Sequence, residues 1–239
     1  MAVTQDIALL SSLLRHEGMI AAASVAAHRL SARLGFPKLL QNYDPSKRFD
    51  QMHGVDTCDI VGVQELGLVD SVGVHAVEYN PTQAHEFLTA LGRLDIDHRQ
   101  YQFLDYGSGK GKVLLLAAKF PFMRITGIEA AECMHQTACA NIAKYASAKP
   151  ACTAITSICI DAAAFVPSRH PVVVYMYNPF DEIILRDVLD QLGKAASDNS
   201  LPSYLIYRNP VQHKAVVTHN LFQHVGSVFG DRIYIYRAG

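Results

Sequence analysis

From residue 101 onward, short apolar runs alternate with stretches whose apolar residues recur at helical spacing. Apolar runs of four to eight residues between turn signals predict strands, and the 3.6-residue period predicts helices. The predicted strands cover residues 101–106, 124–129, 154–160, 171–177 and 204–207. The predicted helices between them cover residues 112–120, 132–145 and 181–192. Two closing runs, 221–228 and 232–237, flank the turn Gly230-Asp231 and lie too close together for a crossover, so they should pair antiparallel.

This alternation predicts an α/β fold, a three-layer sandwich with helices on both faces of the sheet. The sheet is expected to be mostly parallel, with seven strands and an antiparallel hairpin at its end. The run at 171–177 carries no charged residue, which is typical of a strand buried on both faces.

The first third of the chain has a different pattern. Residues 5–35 carry apolar positions at helical spacing, and Gly35 and Pro37 supply stop signals, so we expect an N-terminal helical extension. Residues 41–78 are irregular and predict loops and short turns, and residues 82–88 follow Pro81 as a helix start. We therefore divide the chain into a helical and loop-rich cap, 1–78, and a main domain, 79–239.

Composition narrows the classes of protein. Half of the 239 residues are hydrophobic, 18% are charged and the formal net charge is −1, so there is no basic excess of the kind that nucleic-acid binders carry. The five cysteines form no Cys-x-x-Cys pair, which predicts reduced, buried thiols and a cytoplasmic protein. No membrane-spanning stretch is expected, and the eleven histidines lack metal-ligand spacing, so no metal site is expected.

The main chemical candidate is a glycine-rich turn at the end of the first predicted strand. Asp105 ends this strand, and Gly107, Ser108, Gly109 and Gly111 lead into the next helix. Glycines let the backbone approach a ligand closely, and the free N–H groups of the turn favour an anionic group of that ligand.

An acidic residue at the end of the next strand completes a nucleoside-binding unit. Glu129 ends the run 124–129, and its two oxygens can accept both hydroxyls of a ribose. The dinucleotide fingerprint Gly-x-Gly-x-x-Gly does not fit, because Lys112 stands where its third glycine should be. The spacing therefore disfavours a nicotinamide-dependent reductase.

The sequence Asp105-Tyr106-Gly107-Ser108-Gly109-Lys110-Gly111, followed by Glu129, resembles the first motifs of class I S-adenosylmethionine-dependent methyltransferases. The resemblance implies a seven-strand, Rossmann-like fold and S-adenosylmethionine as the cofactor. It also implies that Asp105 orders the turn near the methionine amino group. Asp161, after the third strand, is implied to lie near the adenine, and it could equally cap a helix.

Two further segments carry the resemblance. Tyr79-Asn80-Pro81-Thr82 is distantly similar to the segment that closes over the cofactor in nucleosome-core-type lysine methyltransferases, which implies cofactor contacts for Tyr79 and Thr82. Together with Phe49-Asp50, residues 53–57 and residues 177–180, the glycine turn resembles a little-characterised bacterial group of class I methyltransferases.

The fourth strand is followed by Asn178-Pro179-Phe180. This resembles only in part the (Asp/Asn)-Pro-Pro-(Tyr/Phe) motif of enzymes that methylate planar nitrogens, because it has one proline. We expect Asn178 to contact the cofactor and orient the methyl acceptor, and leave Phe180 open between pocket and core. Among other candidates, His53 is expected to be structural, and Lys110 and Lys112 are expected to be solvated.

The resulting hypothesis is methyl transfer from S-adenosylmethionine to a nitrogen or oxygen of a small molecule or a protein side chain. The alternative is a protein that binds S-adenosylmethionine or S-adenosylhomocysteine without transferring a methyl group, as a sensor or accessory subunit. The expected partner is the methyl acceptor, with no clear nucleic-acid signal and no membrane. The chain is expected to be a monomer or a homodimer.

Overall fold

The computed structural model describes residues 45–196 and 201–239. The helices expected within residues 5–35 lie outside these ranges. None of the helices in the described part of the chain is long and apolar enough to cross a membrane.

The centre of the fold is one seven-stranded sheet. Its strands are β1 (Gln102–Tyr106), β2 (Arg124–Glu129), β3 (Ile155–Cys159), β4 (Val172–Tyr177), β5 (Ser203–Arg208), β6 (Gln223–Val228) and β7 (Ile233–Ala238). They are ordered β3-β2-β1-β4-β5-β7-β6. The first five pair in parallel, whereas β7 is antiparallel to both β5 and β6. The predicted mostly parallel sheet with a closing antiparallel hairpin is confirmed.

Seven α-helices accompany the sheet within the described residues. They are α1 (Pro45–His53), α2 (Asp70–Gly73), α3 (Ala84–Leu91), α4 (Lys112–Ala117), α5 (Glu132–Tyr145), α6 (Glu182–Ala196) and α7 (His213–Thr218).

Strand β4 shows why the sheet is covered on both faces. Val173 and Tyr175 belong to one apolar cluster, and Val174 and Met176 belong to the other. Successive side chains of a strand point to opposite faces, so an uninterrupted apolar run supplies both cores at once. The first core includes α3 and α4, and the second includes α6 and α7.

Several helices differ from the prediction. Residues 45–53 were expected to be irregular, but they form α1, where Pro45 occupies the first turn that proline tolerates and Phe49 supplies the buried contact. Helix α4 ends at Ala117 rather than at residue 120, and α6 continues to Ala196. Helix α7 was not predicted, because six residues with polar ends carry too little periodicity.

Candidate functional site

A cavity of about 290 Å³ lies at the carboxyl ends of β1, β2 and β4, the usual place for ligands in such sheets. Most of the site residues expected from the sequence line it. These are Tyr79, Thr82, Asp105, Gly107, Ser108, Gly109, Glu129, Asp161 and Asn178. Gly111 is not part of the lining.

The glycine turn, residues 107–111, has a backbone that only glycine adopts freely. Gly107 and Gly109 have φ of 72° and 51°. A Cβ on Gly107 would overlap Pro179, and a Cβ on Gly109 would overlap the ring of Tyr79. The turn is fixed to β2, because the N–H groups of Gly107 and Ser108 both donate to the carbonyl of Ile128, at 2.9 and 3.1 Å.

Gly111 has a packing role. Its φ is 82°, and a Cβ there would lie 3.1 Å from the Cβ of Ala138 in α5. The small residues at these two positions let α4 begin close against α5. The observed role of Gly111 is thus helix packing, and its expected contact with a cofactor stays a prediction.

Glu129 is held rigidly at the end of β2. Its Oε2 accepts a hydrogen bond from the Gly109 N–H at 2.7 Å, and its Oε1 accepts one from the Ala131 N–H at 2.9 Å. Each carboxylate oxygen keeps a further lone pair for a ligand. Burial raises the pKa of Glu129 above its usual range, and the backbone hydrogen bonds oppose this shift only in part.

Asp105 lies at the end of β1 and is 3% exposed. Burial, and next the negative charge of Glu129, raise the pKa of Asp105 well above its usual range. Two neighbouring acids therefore share a buried wall of the cavity, and a bound cation would favour the ionised form of both.

The charges around the cavity are mostly acidic. Glu78, Asp105, Glu129 and Asp161 line it, whereas Lys112 is the only lysine or arginine among the described lining residues. Asp161 also caps the short turn that follows β3, since its Oδ1 accepts a hydrogen bond from the Ala163 N–H at 2.9 Å. The capping role expected for Asp161 is confirmed.

A network that the sequence did not reveal braces the glycine turn from outside. The Asn141 Nδ2 donates to the carbonyl oxygens of Asp56 and Lys110, and the Asp56 N–H donates back to Asn141 Oδ1. The Lys110 ammonium donates to Asp56 Oδ1 at 2.9 Å. Lys110 is 8% exposed and Lys112 is 2% exposed, so the expectation that both are solvated is wrong.

Residues 61–79, named here the cover segment, form one wall of the cavity. An isolated bridge joins Val61 to Tyr79, and another joins Ala76 to Phe180. The Tyr79 hydroxyl donates to the carbonyl of Thr57 at 2.9 Å, which holds its ring over Gly109. Thr82 contacts the hydroxyl of Tyr175 at 3.0 Å on the cavity floor.

Asn178 ends β4 in the left-handed region, with φ of 41°. Asparagine tolerates this conformation better than most residues. Its Oδ1 accepts a hydrogen bond from the Tyr207 hydroxyl at 3.1 Å, and burial raises the pKa of Tyr207 to about 12, so that the hydroxyl stays protonated. Phe180, which the sequence left open, both belongs to the core and lines the cavity.

His75 and Asp181 form a pair that the sequence analysis missed. The His75 Nδ1 lies 2.6 Å from Asp181 Oδ2, and His75 lines the cavity. His53, by contrast, packs against the rings of Phe49 and Tyr145 and does not line the cavity, in keeping with the structural role expected of it.

The cysteines differ from expectation. All five are thiols rather than disulfides, but Cys133, Cys139 and Cys159 are exposed, and only Cys152 is buried. The prediction of buried thiols is therefore wrong for three of them. No group of three or more histidine, cysteine or acidic side chains in residues 45–196 and 201–239 could hold a metal ion.

A scan against protein-family models and a search of curated proteins found no match to the sequence. Among solved structures, the chain is similar to a ribosomal protein L11 methylase from Lactobacillus delbrueckii subsp. bulgaricus, with 16% identity and a TM-score of 0.48 over 65% of this chain and 77% of that one. It is similar to an RNA methyltransferase from Salinibacter ruber in complex with S-adenosyl-L-homocysteine, with 17% identity and a TM-score of 0.48 over 66% and 92%.

A third similar structure is a precorrin-6y C5,15-methyltransferase from Geobacter metallireducens, with 13% identity and a TM-score of 0.48 over 74% of this chain and 94% of that one. The sheet of this chain is mostly parallel, with β7 inserted antiparallel between β5 and β6.

Proposed function

We propose that this chain binds S-adenosylmethionine at the glycine turn and transfers its methyl group to a nitrogen or oxygen of a small molecule or a protein side chain. The observation that carries the proposal is the combination of a glycine cradle with an acidic cavity at the ends of β1 and β2.

The charge of the cavity distinguishes between nucleoside ligands. S-adenosylmethionine carries a sulfonium and an ammonium cation, whereas a dinucleotide carries an anionic pyrophosphate. A unit charge about 4 Å from a carboxylate interacts with it by about 4 kcal/mol at an effective dielectric constant of about 20. With Asp105 and Glu129 beside the turn, this term favours the cationic ligand and opposes the pyrophosphate.

Each expected contact has a matching group in the lining. Glu129 keeps lone pairs for the ribose hydroxyls, and Asp105 lines the cavity beside the turn, where its carboxylate would stabilise an ammonium group. Asp161 uses Oδ1 for its cap and leaves Oδ2 for the adenine. Tyr79 and Thr82 would close the cofactor from the side of the cover segment.

The cofactor supplies an activated methyl group, so the residues of the chain have to align the acceptor and exclude water. Asn178 is suited to the first task, because Tyr207 fixes the orientation of its amide beside the glycine turn. The Tyr79 ring and the cover segment are suited to the second, because they close the cavity on the side away from the sheet.

Isothermal titration of the purified chain with S-adenosylhomocysteine, and in parallel with NAD⁺, tests the proposal. We expect binding of S-adenosylhomocysteine, weaker binding by Glu129→Gln, and no binding of NAD⁺. Absence of S-adenosylhomocysteine binding by folded protein would overturn the proposal. Binding without methyl transfer to any amine or hydroxyl compound would favour a sensor or accessory subunit.

A further inference from the structure

His75 lines the cavity, and Asp181 contacts it from beside the lining. Their side chains are 26% and 39% exposed, so the pair is neither buried in the core nor free in solvent. The bridge between Ala76 and Phe180 holds their backbones together, since each partner of the pair is the neighbour of one bridged residue. Asp181 also follows Asn178 by three residues in the sequence.

The carboxylate of Asp181 is fixed from two directions. Its Oδ1 accepts hydrogen bonds from the N–H groups of Ile183 and Ile184, at 3.0 and 3.3 Å, which leaves Oδ2 for His75. Desolvation alone would raise the pKa of Asp181, but the hydrogen bonds from His75 and the backbone outweigh it and lower this pKa. Asp181 is therefore ionised, and the Nδ1 of a neutral His75 carries the proton.

A neutral histidine with its proton on Nδ1 has a lone pair on Nε2 and can act as a base. We propose that His75, oriented by Asp181, is the general base of this site and that the methyl acceptor is an aromatic hydroxyl compound. The inference deepens the proposed function and rests on it.

The proton and electrons balance in one step. The acceptor oxygen forms a bond to the methyl carbon, while the bond from that carbon to the sulfonium breaks and its electron pair stays on sulfur. The hydroxyl proton passes to Nε2 of His75, and Asp181 stabilises the resulting imidazolium. The proton then leaves to solvent, and the products are the methyl ether and S-adenosylhomocysteine.

The lining around the pair favours an aromatic hydroxyl over an amine. Val72, Phe180 and Ile184 line the cavity next to His75 and Asp181 in sequence, and they offer apolar surface to a ring. A neutral amine attacks without losing a proton first and has no use for a base at this position. A phenol is a poor nucleophile until its proton is removed.

Other ionisable groups also act on His75. Asp181 contacts His75 directly, and Glu78 lies on the same cover segment as His75. Glu182 follows Asp181 in the sequence but is paired with Arg186. The cavity adds the acids Asp105, Glu129 and Asp161, together with Lys112. A variant that changes His75 alone separates its contribution from that of these groups.

The decisive variant is His75→Asn. The asparagine Nδ2–H can replace Nδ1–H as the donor to Asp181, so the structural contact is kept while the basic nitrogen is lost. The reaction is followed as transfer of a labelled methyl group from S-adenosylmethionine to substituted phenols and to anilines with the same substituents. The phenols include phenol itself and 4-nitrophenol, which ionises without help near neutral pH.

We expect His75→Asn to lower kcat for phenol by roughly 100- to 10,000-fold, the range found for a general base. The loss for 4-nitrophenol and for any aniline should be under about tenfold, because neither needs the base. Asp181→Asn should lower the rate with phenol in the same way.

Equal losses for phenol and 4-nitrophenol, or turnover of anilines but of no hydroxyl compound, would overturn the assignment. The tautomer of His75 can also be measured by ¹⁵N NMR, without any methyl acceptor. The spectrum should show the Nδ1–H tautomer in the wild type, and the Asp181→Asn variant should no longer favour that tautomer. An Nε2–H tautomer in the wild type contradicts the proposal. Failure of the proposed function is distinguishable from failure of this proposal, because it would appear as absence of S-adenosylhomocysteine binding.

Discussion

Replacing Gly109 by alanine tests the geometry of the glycine turn. The φ of 51° costs an alanine about 1–2 kcal/mol relative to a right-handed conformation. The new Cβ overlaps the ring of Tyr79, and forced repacking of this kind costs about 1–3 kcal/mol. Displacing the ring also breaks the hydrogen bond from Tyr79 to Thr57, worth about 1 kcal/mol.

Part of this loss is offset, because alanine lowers the entropy of the unfolded chain by about 0.4–1 kcal/mol. We therefore expect Gly109→Ala to lower the free energy of unfolding by about 2–5 kcal/mol, measured by urea denaturation. Two control substitutions separate the backbone contribution to this free energy from the contribution of the Tyr79 contact. Gly54 has φ of 66° and open space, so Gly54→Ala reports the backbone term alone, and Gly226 has open space without a positive φ.

A double-mutant cycle isolates the contact with the ring. In a Tyr79→Ala background the cost of Gly109→Ala should fall to that of Gly54→Ala, about 1 kcal/mol. If Gly109→Ala costs no more than Gly54→Ala in the wild-type background, the Tyr79 ring does not lie over the turn. The reasoning about how the cover segment closes the cavity would then be refuted.

Three further substitutions probe the acids and the brace. Since the folded pKa of Asp105 is raised, the stability it contributes is complete below its unfolded pKa and is lost as the pH rises through the folded value. Asp105→Asn should therefore flatten the decline of stability as the pH rises above the ordinary range of an aspartate, followed by urea denaturation, while weakening S-adenosylhomocysteine binding. Glu129→Gln should weaken that binding roughly 10- to 100-fold in calorimetry, because hydrogen bonds to a charged acceptor are worth about 1.5–3 kcal/mol. Asn141→Ala should lower the free energy of unfolding by about 2–4 kcal/mol, because it strands the buried carbonyl of Lys110 and removes two hydrogen bonds with the backbone of Asp56.

Each substitution has an exposed counterpart. Asp95→Asn, Glu132→Gln and Gln136→Ala should change stability by less than about 0.5 kcal/mol. An undiminished pH dependence in Asp105→Asn, unchanged affinity in Glu129→Gln, or equal stability of Asn141→Ala and Gln136→Ala would each contradict the contact on which that prediction rests.

The sequence predicts best where local pattern and burial agree. Strand β2 and helix α5 begin and end at the predicted residues. Helix α1 was missed because Lys47, Arg48 and Asp50 surround its main buried contact, Phe49, so no apolar stripe is visible.

The site residues that lie at the ends of strands could be predicted from the sequence. Asp105 and Glu129 end neighbouring parallel strands, so their proximity follows from the alternation of strands and helices. The pair of His75 and Asp181 joins residues 106 positions apart, and no periodicity relates them. Asn141 likewise contacts Asp56 across 85 positions. Such contacts depend on how an irregular segment lies against the sheet.

The cover segment touches both halves of the cavity. Its Tyr79 lies over the glycine turn, and its Ala76 is bridged to Phe180, the residue before Asp181. A ligand that orders the segment at Tyr79 therefore lowers the entropic cost of ordering it at Ala76, and the reverse also holds. Linkage makes the effect reciprocal: S-adenosylhomocysteine should tighten the binding of a phenol by the same factor by which the phenol tightens the binding of S-adenosylhomocysteine.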